Sequence, residues 1–299
     1  MLGILIFFMV GVPALAGLQA PSHANMYDKE FFQQHRQHAA VYPVLVDVMT
    51  GSIGSSMVTH PPSMSVLDVG CGHGLLVEAW RTAGVAKSFC MEGSSEASHM
   101  WPDNYSEFYT VQNLEDDRAL DIVPPTDVVT SFEVAEHLQP AFAEHFVTLL
   151  TLHAPQVVFF SAATPFQDRG MNPSHVNENT FQYWIQLFEA RNYHVDWAAT
   201  AHVKHALVTF PDPAARRAVM SAWWYPKNIL VFRPNASRTQ TTAALAAHPA
   251  HADMLSPFYL QLGGEGEFGT MWDRDWRSFG TLFYEAHAAA VLDHAYTEI

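Results

Sequence analysis

The stretch Val66 to Gly74 reads Val-Leu-Asp-Val-Gly-Cys-Gly-His-Gly, and nothing else in the chain restricts the fold as strongly. Its apolar run suits a strand buried on both faces, and it ends in glycines at alternate positions. Without side chains there, backbone amides can approach a bound ligand closely. Leu75, Leu76, Ala79 and Trp80 then fall on one helical face, so a helix begins directly after the loop and aims its N-terminus at the same ligand. Strand, glycine loop and helix in this order predict an α/β nucleotide-binding unit. By itself the loop leaves a nicotinamide site, a methyl-donor site and an ordinary turn all open.

Two later segments narrow the choice. Ala86 to Met91 is a second apolar run, and it ends at Glu92, about twenty residues after the loop, where Rossmann-like folds hold a ribose by its hydroxyls. Asp127 to Leu138 reads Asp-Val-Val-Thr-Ser-Phe-Glu-Val-Ala-Glu-His-Leu, a strand running into a Glu-x-x-Glu-His turn. With Asp68 inside the loop, these motifs make the chain resemble the class I adenosylmethionine-dependent methyltransferases from Met26 to Pro234. The resemblance implies an α/β, Rossmann-like, seven-stranded and mostly parallel sheet with helices on both faces, and S-adenosyl-L-methionine as donor. It places Asp68, Gly70, Cys71, Gly72 and Gly74 at the cofactor loop, Glu92 and Gly93 at the ribose, Asn113 and Leu114 at the adenine, and Glu133 at the donor's edge. Relatives often carry Asp where this chain has Asn113, whose amide oxygen can still accept a hydrogen bond.

Glu133, Glu136 and His137 are the expected catalytic groups, because they follow the fourth strand, where open α/β sheets bind ligands. A helix starting there would bring all three onto one face. Ubiquinone-pathway and small-RNA 3′-end O-methyltransferases resemble the chain at this turn, and the latter hold Mg2+ through it and a later histidine. By that resemblance Glu133, Glu136, His137 and His175 are candidate ligands of Mg2+ or another divalent cation, which would orient an acceptor hydroxyl and lower its pKa. His137 acting as a metal-free general base and a purely structural role stay open beside it. The polar loop Ala162 to Asn179, with Gln167, Arg169, Asn172, His175 and Asn177, is placed to meet the acceptor.

Before the domain, Met26 to Met49 reads as one helix, and the resemblance makes Tyr27 and Phe31 candidates for a lid over the cofactor. Glu107 to Gln112 reads as a third strand, Gln156 to Ser161 as a fifth, Phe181 to Arg191 as a core helix and Tyr193 to Thr200 as the next strand. The last strand is expected from Ala222-Trp-Trp-Tyr and Asn228 to Phe232, after an insertion from Pro211 to Met220, and should run antiparallel to its predecessor.

Charge bears on the substrate. A formal net charge of −15 argues against a nucleic-acid partner, since phosphate binding needs a basic surface. A small metabolite or glycan hydroxyl is the expected acceptor. A metal-dependent RNA 2′-O-methyltransferase and a module that binds adenosylmethionine without turnover are the alternatives. The uncharged, apolar Met1 to Leu18 resembles a secretory signal peptide, with an uncleaved anchor as the competing reading, and sequons at Asn104 and Asn235 fit the secretory pathway. Cys71 and Cys90, the two cysteines of the chain, are expected as small buried residues, with a bridge between them conceivable. The divisions are thus 1–24 leader, 25–235 methyltransferase domain, 236–253 linker and 254–299 helical extension, the last carrying the stripe Trp272, Trp276, Phe279 and Phe283.

Overall fold

The computed structural model describes residues 27, 29–53, 63–101, 108–165, 167 and 172–235. The expected leader, linker and C-terminal extension, the sequon at Asn104, and Arg169 lie outside the described residues. Among those described, no helix is long and apolar enough to cross a membrane.

Seven strands form one sheet: β1 (Ser65–Val69), β2 (Lys87–Glu92), β3 (Tyr109–Val111), β4 (Val128–Phe132), β5 (Val157–Ser161), β6 (Tyr193–Val195) and β7 (Leu230–Pro234). Their order is β3-β2-β1-β4-β5-β7-β6, with β7 antiparallel to both neighbours and every other pairing parallel. The order reverses between β1 and β4, and a crevice opens there at the strands' carboxyl ends. Asp68 sits at this point, in register with Thr130 of β4 and Cys90 of β2.

The central strands are buried on both faces because alternate side chains enter two separate cores. Val66, Val128, Val157 and Val231 face α2 (Val41–Ile53), α3 (Leu75–Thr82), α8 (Trp197–Val208) and α9 (Pro213–Ser221). Leu67, Val129, Val158 and Phe160 face α6 (Ala143–Thr151) and α7 (Phe181–Glu189). Phe188 of α7 stacks on Phe232 of β7, ring centroids 3.8 Å apart, and both are fully buried. Burying each such ring contributes about 1.5–3 kcal/mol.

Several boundaries differ from the sequence reading. The expected helix from Met26 to Met49 is two helices, α1 (Lys29–His35) and α2, joined by a 3-10 turn at Arg36–His38. Pro43, which lacks an amide hydrogen, falls in the first turn of α2, where no intrahelical bond needs one. The expected strand Tyr193 to Thr200 stops at Val195, where Asp196 caps α8 by accepting the Ala199 amide at 3.0 Å. Ala222 to Asn228 is not strand either. It holds α10 (Trp224–Asn228), and the Pro211 to Met220 stretch forms most of α9, capped by Asp212. In both places a capping or compact helical turn outcompetes apolar content that suits a strand.

Candidate active site

The loop after β1 turns on left-handed glycines. Gly70 and Gly74 have φ of 76° and 77°, and a Cβ would collide with Val134 at the first and lie 2.6 Å from Tyr109 Cε1 at the second. The amide of Gly70 donates to the Met91 carbonyl at 2.7 Å, and a Cys71–Cys90 disulfide ties the loop to β2. The two cysteines are therefore bonded, and not merely small and buried. The loop folds back onto β2, with the amides of Gly70 and Cys71 both directed at the Met91 carbonyl, and this brings the Cα atoms of the two cysteines to 5.5 Å apart.

Glu92, at the end of β2, accepts the Gly72 amide at 2.7 Å through Oε2 and the Ser94 amide at 2.8 Å through Oε1. Burial pushes its pKa up, and the amides of Ser94, Gly72 and Gly93 oppose that rise. Asp68 is buried to 4% exposure and accepts the Thr130 hydroxyl at 2.7 Å. Burial lifts its pKa to about 7, against the pull of that hydrogen bond. Leu114 is buried below Gly93, whereas Asn113 is exposed and turns its amide oxygen onto the Glu115 amide at 3.0 Å.

The turn after β4 is a short 3-10 segment, Ala135–His137, and not a helix starting at Glu133. The loop after β5 is pinned onto it: the Glu136 carbonyl accepts the amides of Val176 and Asn177, both at 2.9 Å, and Asn177 Nδ2 donates to the Ala135 carbonyl at 3.1 Å. Those bonds bring His175 beside the turn. Among the described residues, Glu136, His137 and His175 offer ligand atoms within 4.8 Å of one another. The two rings lie edge to face, centroids 4.8 Å apart. His137 Nδ1 donates to the Ser174 carbonyl at 3.2 Å, and His175 Nδ1 to Glu178 at 2.8 Å, so in those tautomers each Nε2 carries its lone pair.

Glu136 is fully buried, and burial, reinforced by the charge of Glu133, drives its pKa well above the carboxylate range. The amides of Glu136 itself and Ala163 lie close enough to ease that rise, yet no hydrogen bond of good geometry reaches either oxygen. A buried carboxylate without a partner costs several kcal/mol. Such a group facing two imidazoles suits a ligand that neutralises it.

Glu133 stands outside this cluster, contrary to the sequence reading. Its backbone is left-handed, with φ of 56°, and its carboxylate takes hydrogen bonds from Gln167 Nε2 at 2.9 Å and Asn228 Nδ2 at 3.1 Å. Asn228 lies ninety-five positions away, in a stretch that reads as strand, so no local spacing could reveal the pair. Backbone strain of this kind, about 1–3 kcal/mol, gathers at functional sites.

Tyr27 joins the two halves of the site. Its ring meets His137 edge-on at 5.3 Å, its hydroxyl lies beside the Ser174 side chain, and its carbonyl accepts the Ser94 hydroxyl at 3.0 Å. Phe32 of α1 covers Gly72, with Phe31 against it at 5.3 Å, so the segment does lie over the cofactor loop.

A family model described as a methyltransferase domain matches residues 53–226, more than half of the chain, from before β1 into α10. The chain belongs to this methyltransferase family. No curated protein is similar to it in sequence. Among solved structures, magnesium protoporphyrin IX methyltransferase from Synechocystis PCC 6803 with bound SAH shares 15% identity over 57% of this chain and 88% of that one, at a TM-score of 0.45. The methyltransferase domain of bacterial CtHen1-C shares 21% over 52% and 87%, at 0.38. The cyclopropane synthase MmaA2 from Mycobacterium tuberculosis shares 14% over 63% and 82%, at 0.40. These likenesses are too distant to carry an argument about substrate.

Sequence reasoning on this methyltransferase missed Lys204 altogether. It is 5% exposed on α8, donates to the Lys227 carbonyl and sits 5.2 Å over the Phe181 ring. Burial first, and then the neighbouring Lys227 charge, lower its pKa to about 7. Lys227 in turn donates to Thr164 at 2.7 Å, just past the end of β5. A lysine on a helix looks like a surface residue, and it is buried here between Lys227 of α10 and the Phe181 ring of α7.

Proposed function

We propose that this methyltransferase carries a methyl group from S-adenosyl-L-methionine to a hydroxyl oxygen of a small metabolite or glycan. The buried Glu136 carboxylate beside His137 and His175 carries that reading, because the turn that holds it follows Val134, whose side chain packs against Gly70 of the glycine loop. Gly70, Gly72 and Gly74 leave room for the donor, Glu92 has lone pairs left for ribose hydroxyls after accepting two amides, and Leu114 forms an apolar wall for the adenine. Asn113 reaches the adenine only if its turn with Glu115 opens.

Glu136, His137 and His175 fit a divalent cation, one carboxylate and two imidazoles, with Glu133 left to position Gln167 and Asn228. When bound, the ion would supply charge that lowers the pKa of an acceptor hydroxyl. The hydrogen bonds from His137 to Ser174 and from His175 to Glu178 orient both rings in either case. Those bonds equally support His137 Nε2 as the base that takes the hydroxyl proton directly, which is the second reading.

The net charge of −15 supports a non-nucleic acceptor. The Cys71–Cys90 disulfide supports folding in an oxidising compartment such as the secretory pathway. The test is transfer of a labelled methyl group from adenosylmethionine into fractionated metabolite, glycan, protein and RNA pools, with and without chelator. Label in the metabolite or glycan pool is expected. Label confined to RNA overturns the acceptor assignment, and activity that survives both chelator and His175→Ala overturns the cation.

A further inference from the structure

The ring of Tyr27 touches His137, while its carbonyl belongs to the donor side of the molecule. Ser94 makes that second connection. Its amide donates to Glu92 Oε1 at 2.8 Å, its hydroxyl donates to the Tyr27 carbonyl at 3.0 Å, and its side-chain oxygen accepts the Glu96 amide at 3.2 Å. That last bond caps a four-residue helix, α4 (Ser95–Ser98), which needs little support of its own. The other two form a continuous path, Glu92 to Ser94 to Tyr27 to His137, from the carboxylate that faces the ribose to the imidazole of the acceptor side.

We propose that Ser94 is a positioning residue that couples occupancy of the donor pocket to the alignment of His137, acting through Tyr27. The inference rests on the donor reading given above. Ribose hydroxyls arriving at Glu92 share its oxygens with the amides of Gly72 and Ser94, and so favour one orientation of the Ser94 peptide. The hydroxyl on that residue then holds the Tyr27 carbonyl, and the Tyr27 ring packs edge-on against His137, which also meets His175. An ordered sequence follows, with the donor bound first and the acceptor side assembled second.

Hydrogen exchange on the full chain, with and without S-adenosylhomocysteine, tests this. In the native protein the ligand is expected to slow exchange both in residues 29–35 and in residues 135–137. Ser94→Ala is expected to bind S-adenosylhomocysteine within about threefold of native affinity, but to lose about five- to tenfold of the protection in both segments, the worth of one hydrogen bond. Ser94→Thr keeps the hydroxyl and is expected to restore both. Tyr27→Ala keeps the carbonyl but loses the ring, which also meets Phe31 at 5.1 Å, so residues 135–137 are expected to lose their protection and residues 29–35 to keep only part of theirs. Native-like protection of residues 135–137 in Ser94→Ala or Tyr27→Ala overturns the coupling, as does a native protein that binds the ligand without protecting residues 135–137. Absence of S-adenosylhomocysteine binding by the native protein overturns the donor reading itself, a distinct result.

Discussion

Glu92 Oε2 accepts the Gly72 amide at 2.7 Å, so the acid expected to hold the ribose also holds the glycine loop. The shape of the loop and the proposed ribose contact therefore depend on one side chain. Glu92→Ala is expected to raise the dissociation constant for S-adenosylmethionine by a hundredfold or so, since hydrogen bonds to a charged group contribute about 1.5–3 kcal/mol each. Glu92→Gln, which keeps one acceptor oxygen, should fall between. Asp68→Ala should also weaken binding, through loss of the Thr130 bond. Calorimetric titration reads all three, and native affinity in both alanine variants would sink the donor assignment.

Gly70 and Val134 compete for the same space. A methyl group at Gly70 would collide with the valine and would also sit at a φ of 76°. Gly70→Ala should cost about 1–3 kcal/mol of stability and most donor affinity. Adding Val134→Ala should recover the steric part and leave the backbone part. A double-mutant cycle by urea denaturation separates them, and strict additivity would show that the collision is absorbed elsewhere.

The Cys71–Cys90 bridge joins residues nineteen positions apart. Its loss, by Cys71→Ser with Cys90→Ser, should reduce stability by about 3 kcal/mol, chiefly by freeing the unfolded chain. A dithiol reductant should bring the native protein to the same midpoint and leave the double variant unaffected. Equal midpoints for oxidised and reduced native protein would refute this.

Lys204 links stability to pH. Its folded pKa, about 7, lies below the ordinary lysine value, so between roughly pH 7 and pH 10.4 the unfolded chain binds more protons than the native one. Stability should therefore rise with pH across that window and be lowest below pH 7, where the buried amine is charged. Lys204→Met should remove the slope and raise the melting midpoint at pH 6. Thermal melts from pH 6 to pH 10 decide it, and parallel curves for the two proteins would refute it.

Local pattern made much of this molecule legible. The apolar run, the acid and the glycines of Val66 to Gly74 are consecutive, so their geometry follows from chain chemistry that one segment contains. The parallel strands β1, β2, β4 and β5 fall within a residue or two of their expected bounds for the same reason. Boundaries failed where a cap decided them, as at Asp196, because one side-chain bond to the backbone outweighs apolar content over a few residues.

What the sequence determined alone is the proposed donor half: the glycine loop and Glu92, both set by short-range spacing within the path of β1, α3 and β2. Tertiary structure decided the acceptor half. It turned Glu133 toward Gln167 and Asn228, brought His175 to Glu136 and His137 by stitching one loop to another, joined Cys71 to Cys90, buried Lys204 and laid Tyr27 across both halves. Those residues come from segments tens of positions apart. Their meeting depends on how helices and loops pack at the sheet's carboxyl edge, which no local periodicity encodes.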